Sequence, residues 1–438
     1  MNRRELFTLG AKAMLLAGGT TYANTTPFVQ QNKEAKKREG EPLHIVVVGG
    51  GWAGLSFAKQ MKQEEPNAKV TLIERRDHFV SCPASNAWLF DLVDLAFLTH
   101  SYLDAANSHG YDYLHAEATG LQADKNILET TKGEIAYDYL VFATGIEYDY
   151  EAWTKGDKVL EEKLRRHYPA AFIPGSEHLT LKRKLKAYKG GNFIVTVPSG
   201  NYRCLPAPYE RACLLADYIK QNKIDGQVII VDENNTVTIK EEGFLSTFRE
   251  LYKKELVYLS GSRIETIDLE KKIVETEFDE IHFEDASFYP NVRAPKLLEK
   301  LGLTTQTPYN RVEANLDIHT NQFKGYSNIF GCGDLRPMGF SKSGNTAYTE
   351  GANVAKIVSN AIKKKKLVWK TPITFCVSLV SMKPQREISL VSEYKYGAQG
   401  QTQFKSTQTD EAWKSNTLGE NRAQFMWASS MFDSMFYC

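Results

Sequence analysis

His44-Ile45-Val46-Val47-Val48 runs directly into Gly49-Gly50-Gly51-Trp52-Ala53-Gly54. The first run is β-branched and has the length of a strand buried in a parallel sheet. The second fits G-x-G-x-x-G, with Gly49, Gly51 and Gly54 at the glycine positions and Trp52 and Ala53 between the last two. Leu55 to Gln63 then reads as a helix, and Lys69-Val70-Thr71-Leu72-Ile73 as a second strand ending at Glu74, with Arg75 next to it. Bare glycines let backbone approach a pyrophosphate. The helix N-terminus offers free N–H groups, and the acid takes ribose hydroxyls. A glycine-rich loop alone would leave Glu74 unexplained, so the spacing predicts a dinucleotide site.

Two later segments point to FAD. Tyr139-Leu140-Val141-Phe142-Ala143-Thr144-Gly145 is an apolar strand ending in A-T-G, and Asn328-Ile329-Phe330-Gly331-Cys332-Gly333-Asp334 is another ending in G-D. Both resemble the second and third fingerprints of two-dinucleotide-domain flavoproteins. The resemblance implies that Thr144, Gly145 and Gly333 lie at the cofactor and that Asp334 contacts the ribityl chain. It also implies that the helix from Gly344 to Ala355 starts near the flavin. The expected fold is α/β, with an FAD domain split over 43–150 and 310–370 and a second Rossmann-like domain over 151–309. In that second unit Asn192 to Val197 and Gln227 to Asp232 read as strands and Ala212 to Gln221 as a helix. Its turn, Pro198-Ser199-Gly200-Asn201-Tyr202-Arg203-Cys204-Leu205-Pro206-Ala207-Pro208, has lost the three glycines, so this unit should not bind NAD(P)H in the usual way. Residues 371–438, rich in aromatics, read as an interface domain, with Asn421 to Tyr437 a helix against the flavin domain or a partner.

Composition narrows the class. The 438 residues are 42% hydrophobic and 24% charged, which suits a packed globular chain. A net charge of +1 excludes a nucleic-acid binder that relies on a basic face. Mean hydropathy is −0.39 and no apolar run is long enough for a membrane span. At the N-terminus, Arg3-Arg4, a short apolar stretch to Gly19 and small residues near Ala23 resemble a twin-arginine export signal over residues 1–30. A polar tether, Gln30 to Glu41, follows. The expected destination is the periplasm. His44, His100, His109 and His319 show no metal-ligand spacing.

Six cysteines are too few for a disulfide scaffold, and none lies in C-x-x-C-H, so no haem attaches here. Cys204 sits at the strand-to-helix turn, where the helix dipole and Arg211 are expected to favour thiolate. Glu210 is either a proton shuttle or a first-turn acid paired with Arg211. Cys213 is expected to face the core and Cys332 to be buried. Tyr202 to Ala212 closely resembles the active-site segment of the flavoprotein subunit of flavocytochrome c sulfide dehydrogenase. Thr374-Phe375-Cys376 falls where that family places its second redox cysteine, and Ser81-Cys82-Pro83-Ala84-Ser85-Asn86 resembles its flavin-linking segment. Lys342-Ser343-Gly344 also fits.

The resemblance implies FAD joined through Cys82, with Asn86, Lys342, Ser343 and Gly344 among its contacts. It implies a Cys204–Cys376 redox disulfide that sulfide attacks, with polysulfide or sulfur as the product. Electrons would pass through the flavin to a c-type cytochrome on another chain. Pro83 and Ala84 stand where bulkier residues belong. A sulfide:quinone oxidoreductase, with Lys363 to Lys366 touching lipid, and a non-catalytic flavin-bearing subunit are the alternatives.

Overall fold

The computed structural model describes residues 40–398, 400–410, 413–414 and 423–437. The export signal read in residues 1–30, most of the tether, and Cys438 lie outside them. The chain begins with β1 (His44–Val48), α1 (Trp52–Glu64), β2 (Lys69–Glu74), β3 (Asp112–His115) and β4 (Tyr139–Phe142). In β1 alternate residues enter different cores. Ile45 and Val47 pack with Leu55 and Phe57 of α1, while Val46 and Val48 pack on the opposite face with Leu140 and Phe142. That is why the strand is apolar without a break.

A second parallel sheet follows. β5 (Gly191–Val197), α2 (Ala207–Asn222), β6 (Gly226–Asp232), β7 (Leu256–Leu259) and β8 (Asp285–Ser287) assemble in the order β7-β6-β5-β8. α2 starts at Ala207, five residues before the expected Ala212, because Pro208 is tolerated in the first turn, where its missing N–H has no intrahelical partner to lose.

The chain then returns to the first sheet. β9 (Ile329–Gly331) pairs with β4, setting Ile329 opposite Leu140, and completes the order β9-β4-β1-β2-β3. α3 (Gly344–Ile362) lies so close on α1 that a Cβ on Gly351 would sit 2.2 Å from the Ala53 carbonyl oxygen.

The last part contains a sheet that the aromatic pattern did not announce. β10 (Ile373–Met382), β11 (Gln385–Tyr396) and β12 (Thr402–Asp410) run antiparallel in that order. Leu379 of β10 packs with Leu214 of α2. α4 (Ala423–Phe436) carries Phe432 and Phe436 into the core of the first unit. β10 therefore rests on the second unit and α4 on the first.

Candidate active site

β1 ends in the glycine turn, and the physics of that turn is visible at two positions. Gly49 has φ +106° and a Cβ there would lie 2.5 Å from the Ala143 carbonyl oxygen. A Cβ on Gly54 would lie 1.8 Å from the Gly49 carbonyl oxygen, so only glycine lets α1 start this close to β1. No side chain caps α1, which leaves its first N–H groups to a ligand. Glu74 is held at the end of β2 by Gly50 N at 2.7 Å and Arg76 N at 3.0 Å, both donating to its carboxylate.

A cavity of about 700 Å³ opens from this turn and runs past Cys82 to Cys376. Of the candidate catalytic and cofactor-binding residues read from the sequence, all but Gly54 and Lys342 line it. Arg75, at its edge, faces Glu117 at 3.6 Å. Thr144 Oγ1, Asp334 Oδ1 and Trp52 Nε1 are buried and have no hydrogen-bond partner among the described residues. Buried polar atoms rarely stay unpaired. Unpaired atoms of this kind, with bare glycines and a free helix N-terminus, fit a dinucleotide such as FAD. Asp334 gives its other oxygen to Arg203 Nε at 2.7 Å, and Arg203 also reaches the Phe172 carbonyl at 3.0 Å.

Ser343 caps α3 from the cavity wall, accepting from Thr346 N, and Gly344 follows beneath Pro83 and Trp52. Lys342 does not meet the expectation of a cofactor contact. Its ammonium is committed to Glu313 at 2.9 Å and to the carbonyls of Asp334 and Arg336. Its backbone does the positioning instead, because Cys204 N donates to the Lys342 carbonyl at 2.6 Å.

The sulfurs converge here. Cys204 leaves β5 in the left-handed region at φ 58°, just ahead of α2. Cys376 comes from β10. Both line the end of the cavity, and each acts on the ionisation of the other. Cys204, with the charge of Lys240 opposing burial, pulls the Cys376 thiol down to about 6. Cys376 and burial push Cys204 well above the ordinary thiol range. This overturns the expectation that Cys204 is favoured as thiolate by Arg211. Arg211 points away, to the carbonyls of Ala170 and Ala171, Ser287 and Asn86. Neighbours i and i+1 on a helix face different directions.

For the same reason Glu210 does not pair with Arg211. Its carboxylate accepts from Leu379 N at 2.9 Å, Gln424 Nε2 at 2.8 Å and Asn86 Nδ2 at 2.9 Å. Burial raises Glu210 above the usual carboxylate range. Asn86 thus ties Glu210 to Arg211 from the cavity wall. The Cys82 thiol donates to the Phe172 carbonyl at 3.0 Å, and burial pushes it up to about 11. Cys213 and Cys332 are fully buried in the core. Lys240, Ser378 and Gln424 escaped the sequence reading, and Trp427 was read only as an aromatic of the C-terminal helix. Arg203, inside the quoted turn, was legible there.

Residues 43–167 match the model of the pyridine nucleotide-disulphide oxidoreductases. Residues 178–287 match the model described as sulfide dehydrogenase (flavocytochrome c) flavoprotein chain, central. Over 43 residues the chain is 51% identical to the flavocytochrome c sulfide dehydrogenase flavoprotein chain of Chlorobaculum thiosulfatiphilum, covering 10% of this chain and 90% of that one. It is 23% identical over 340 residues to the mitochondrial sulfide:quinone oxidoreductase of Mus musculus, 74% of this chain and 73% of that one. The solved sulfide:quinone oxidoreductase of Aquifex aeolicus matches with a TM-score of 0.68 at 17% identity, covering 90% of this chain and 91% of that one. The chain belongs to the sulfide-oxidising FAD flavoproteins that include the flavocytochrome c sulfide dehydrogenase flavoprotein chain and sulfide:quinone oxidoreductase.

Proposed function

We propose that this protein is a periplasmic sulfide dehydrogenase that oxidises sulfide at a Cys204–Cys376 redox disulfide and passes electrons to a separate c-type cytochrome. The observation that carries the reading is the convergence of two cysteines from distant parts of the chain on the wall of one cavity. Hydrosulfide is a soft nucleophile suited to disulfide exchange. FAD, when bound, supplies a two-electron acceptor that releases electrons singly. The chain's own groups do the rest. Gly49, Gly51, Trp52, Ala53, Glu74, Thr144, Gly145 and Asp334 hold and orient the cofactor. Arg203 bridges Asp334 to the turn that carries Cys204. Glu210, raised by burial above the usual carboxylate range, stands at the cavity wall as the proposed proton shuttle. Cys82, which lines the same cavity, is the proposed attachment point for covalent flavin.

Cys204→Ser and Cys376→Ser should each abolish bleaching of the flavin by sulfide while the flavin stays bound. Undiminished bleaching overturns the reading. Flavin that stays with the acid-denatured protein and is lost in Cys82→Ser would support the covalent link. The relatives matched over most of this chain are sulfide:quinone oxidoreductases, which favours quinone as the rival acceptor. Turnover with cytochrome c against quinone, in solution and with liposomes, separates the two.

A further inference from the structure

Lys240 stands at the N-cap of the helix Glu241–Leu251, with φ 55° and ψ 41°. It is only 3% exposed. Its ammonium donates to Ser378 Oγ at 2.9 Å, to the Ile388 carbonyl at 3.1 Å and to Cys376 Sγ at 3.5 Å. An ammonium has three hydrogens to give, so all are placed. The buried Lys342 and Arg336 each face a carboxylate, Glu313 and Glu350. Among the described residues no carboxylate stands within ion-pair distance of Lys240, and it faces a sulfur instead. A buried ammonium without an anion is costly, and a left-handed non-glycine residue adds strain. Glu387 of β11 acts on Lys240 only from beyond ion-pair distance, and the anion that can form in contact with the ammonium is the thiolate of Cys376.

The other titratable groups acting on that sulfur are Cys204 from the turn before α2, Glu210 from α2 and Tyr394 from β11. Burial keeps all three toward their neutral forms. Lys240 is the one cation in contact with it.

We propose that Lys240 is the fixed counter-ion of Cys376 and thereby sets the polarity of the disulfide: hydrosulfide attacks Sγ of Cys204, and Cys376 leaves as the thiolate. This rests on the sulfide-oxidising reading above. The hydrosulfide electron pair forms the new bond to Cys204 Sγ. The pair of the broken Cys204–Cys376 bond goes to Cys376, and the hydrosulfide proton stays on the outer sulfur of the Cys204 persulfide. One negative charge enters and one remains, now opposite Lys240. Exchange runs toward the sulfur that leaves as the weaker base, and Cys376, the sulfur that Lys240 touches at 3.5 Å, is that sulfur.

The test uses the full-length holoenzyme. In the reduced protein under anaerobic conditions, iodoacetamide labelling of each cysteine is followed by peptide mass spectrometry across pH. Cys376 should label with a midpoint near 6 in the native protein. Lys240→Met should move that midpoint up by a factor of about ten or more in proton concentration, and Lys240→Arg should restore it. An unchanged midpoint in Lys240→Met overturns the counter-ion. A second measurement needs no variant. One equivalent of sulfide is added to the oxidised native protein and the persulfide is trapped and mapped. Label on Cys204 supports the polarity, and label on Cys376 overturns it. Persulfide on neither cysteine sinks the sulfide reading and the polarity with it, while the labelling profile still decides the counter-ion.

Discussion

The two parallel units share one plan and differ in what fills the turn after their first strand. After β1 the turn is glycine, and the helix N-terminus and Glu74 face an open cavity. After β5 the turn is Pro198 to Pro208, with side chains where the backbone was bare. Asp232, at the end of β6, occupies the place that Glu74 has at the end of β2. It is closed off by Tyr209 Oη at 2.6 Å, Tyr258 Oη at 3.0 Å and Asn234 N at 2.8 Å, all donating to it. One frame thus serves two chemistries. Bare backbone admits a pyrophosphate, while a side-chain-filled turn delivers a sulfur to the neighbouring cavity.

The comparison breaks most sharply at Gly54. Gly54→Val should abolish flavin retention, read as loss of the flavin absorbance of purified protein; a full flavin complement would mean that close packing of α1 on β1 is dispensable. Next is the nucleotide itself. NADH under anaerobic conditions should leave the flavin oxidised where sulfide bleaches it, and stoichiometric bleaching by NADH would show that the second unit still works as a nucleotide site.

A pH effect follows from the sulfur that the second turn meets. Cys376 ionises near 6 when folded and near 9.0 otherwise. Between those values the unfolded chain binds more protons, so the stability of the reduced protein rises with pH across that window. The contribution is fully present above 9.0 and is lost as pH falls through about 6. Urea midpoints measured against pH should show this slope, and Cys376→Ser should flatten it. The smallest effect is at the plugged acid. Tyr258→Phe removes one donor to Asp232 and should cost about 1 kcal/mol in urea unfolding, with flavin content unchanged. A cost near zero would mean that water replaces the hydroxyl and the plug is loose.

The residues read most easily from the sequence were those whose neighbours in space are neighbours in the chain. Gly49, Gly54 and Glu74 sit in one strand-turn-helix-strand unit, and the local pattern carries the geometry. The cysteine turn was legible by its resemblance, but its electrostatics were not. Adjacency made Arg211 look like a partner of both Cys204 and Glu210, and the helix turns it away. Lys240 reads as a surface charge beside Glu241 and Glu242. It becomes a site residue only because a left-handed turn and the packing of β10 and β11 bring it to Cys376. The sheet β10–β12 was hidden for a related reason: Thr374, Ser378 and Ser381 interrupt its apolar pattern, yet each is buried and hydrogen-bonded.

α4 has a consequence in time as well as in space. Trp427 stacks on Trp52 at 5.7 Å, and both line the cavity, together with Gln424. This wall comes later in the chain than every other wall of the cavity. The glycine turn, the A-T-G strand and the cysteine turn are all synthesised while that side is still open. The wall that Gln424 and Trp427 supply is therefore the one whose residues reach the cavity after those of every other wall.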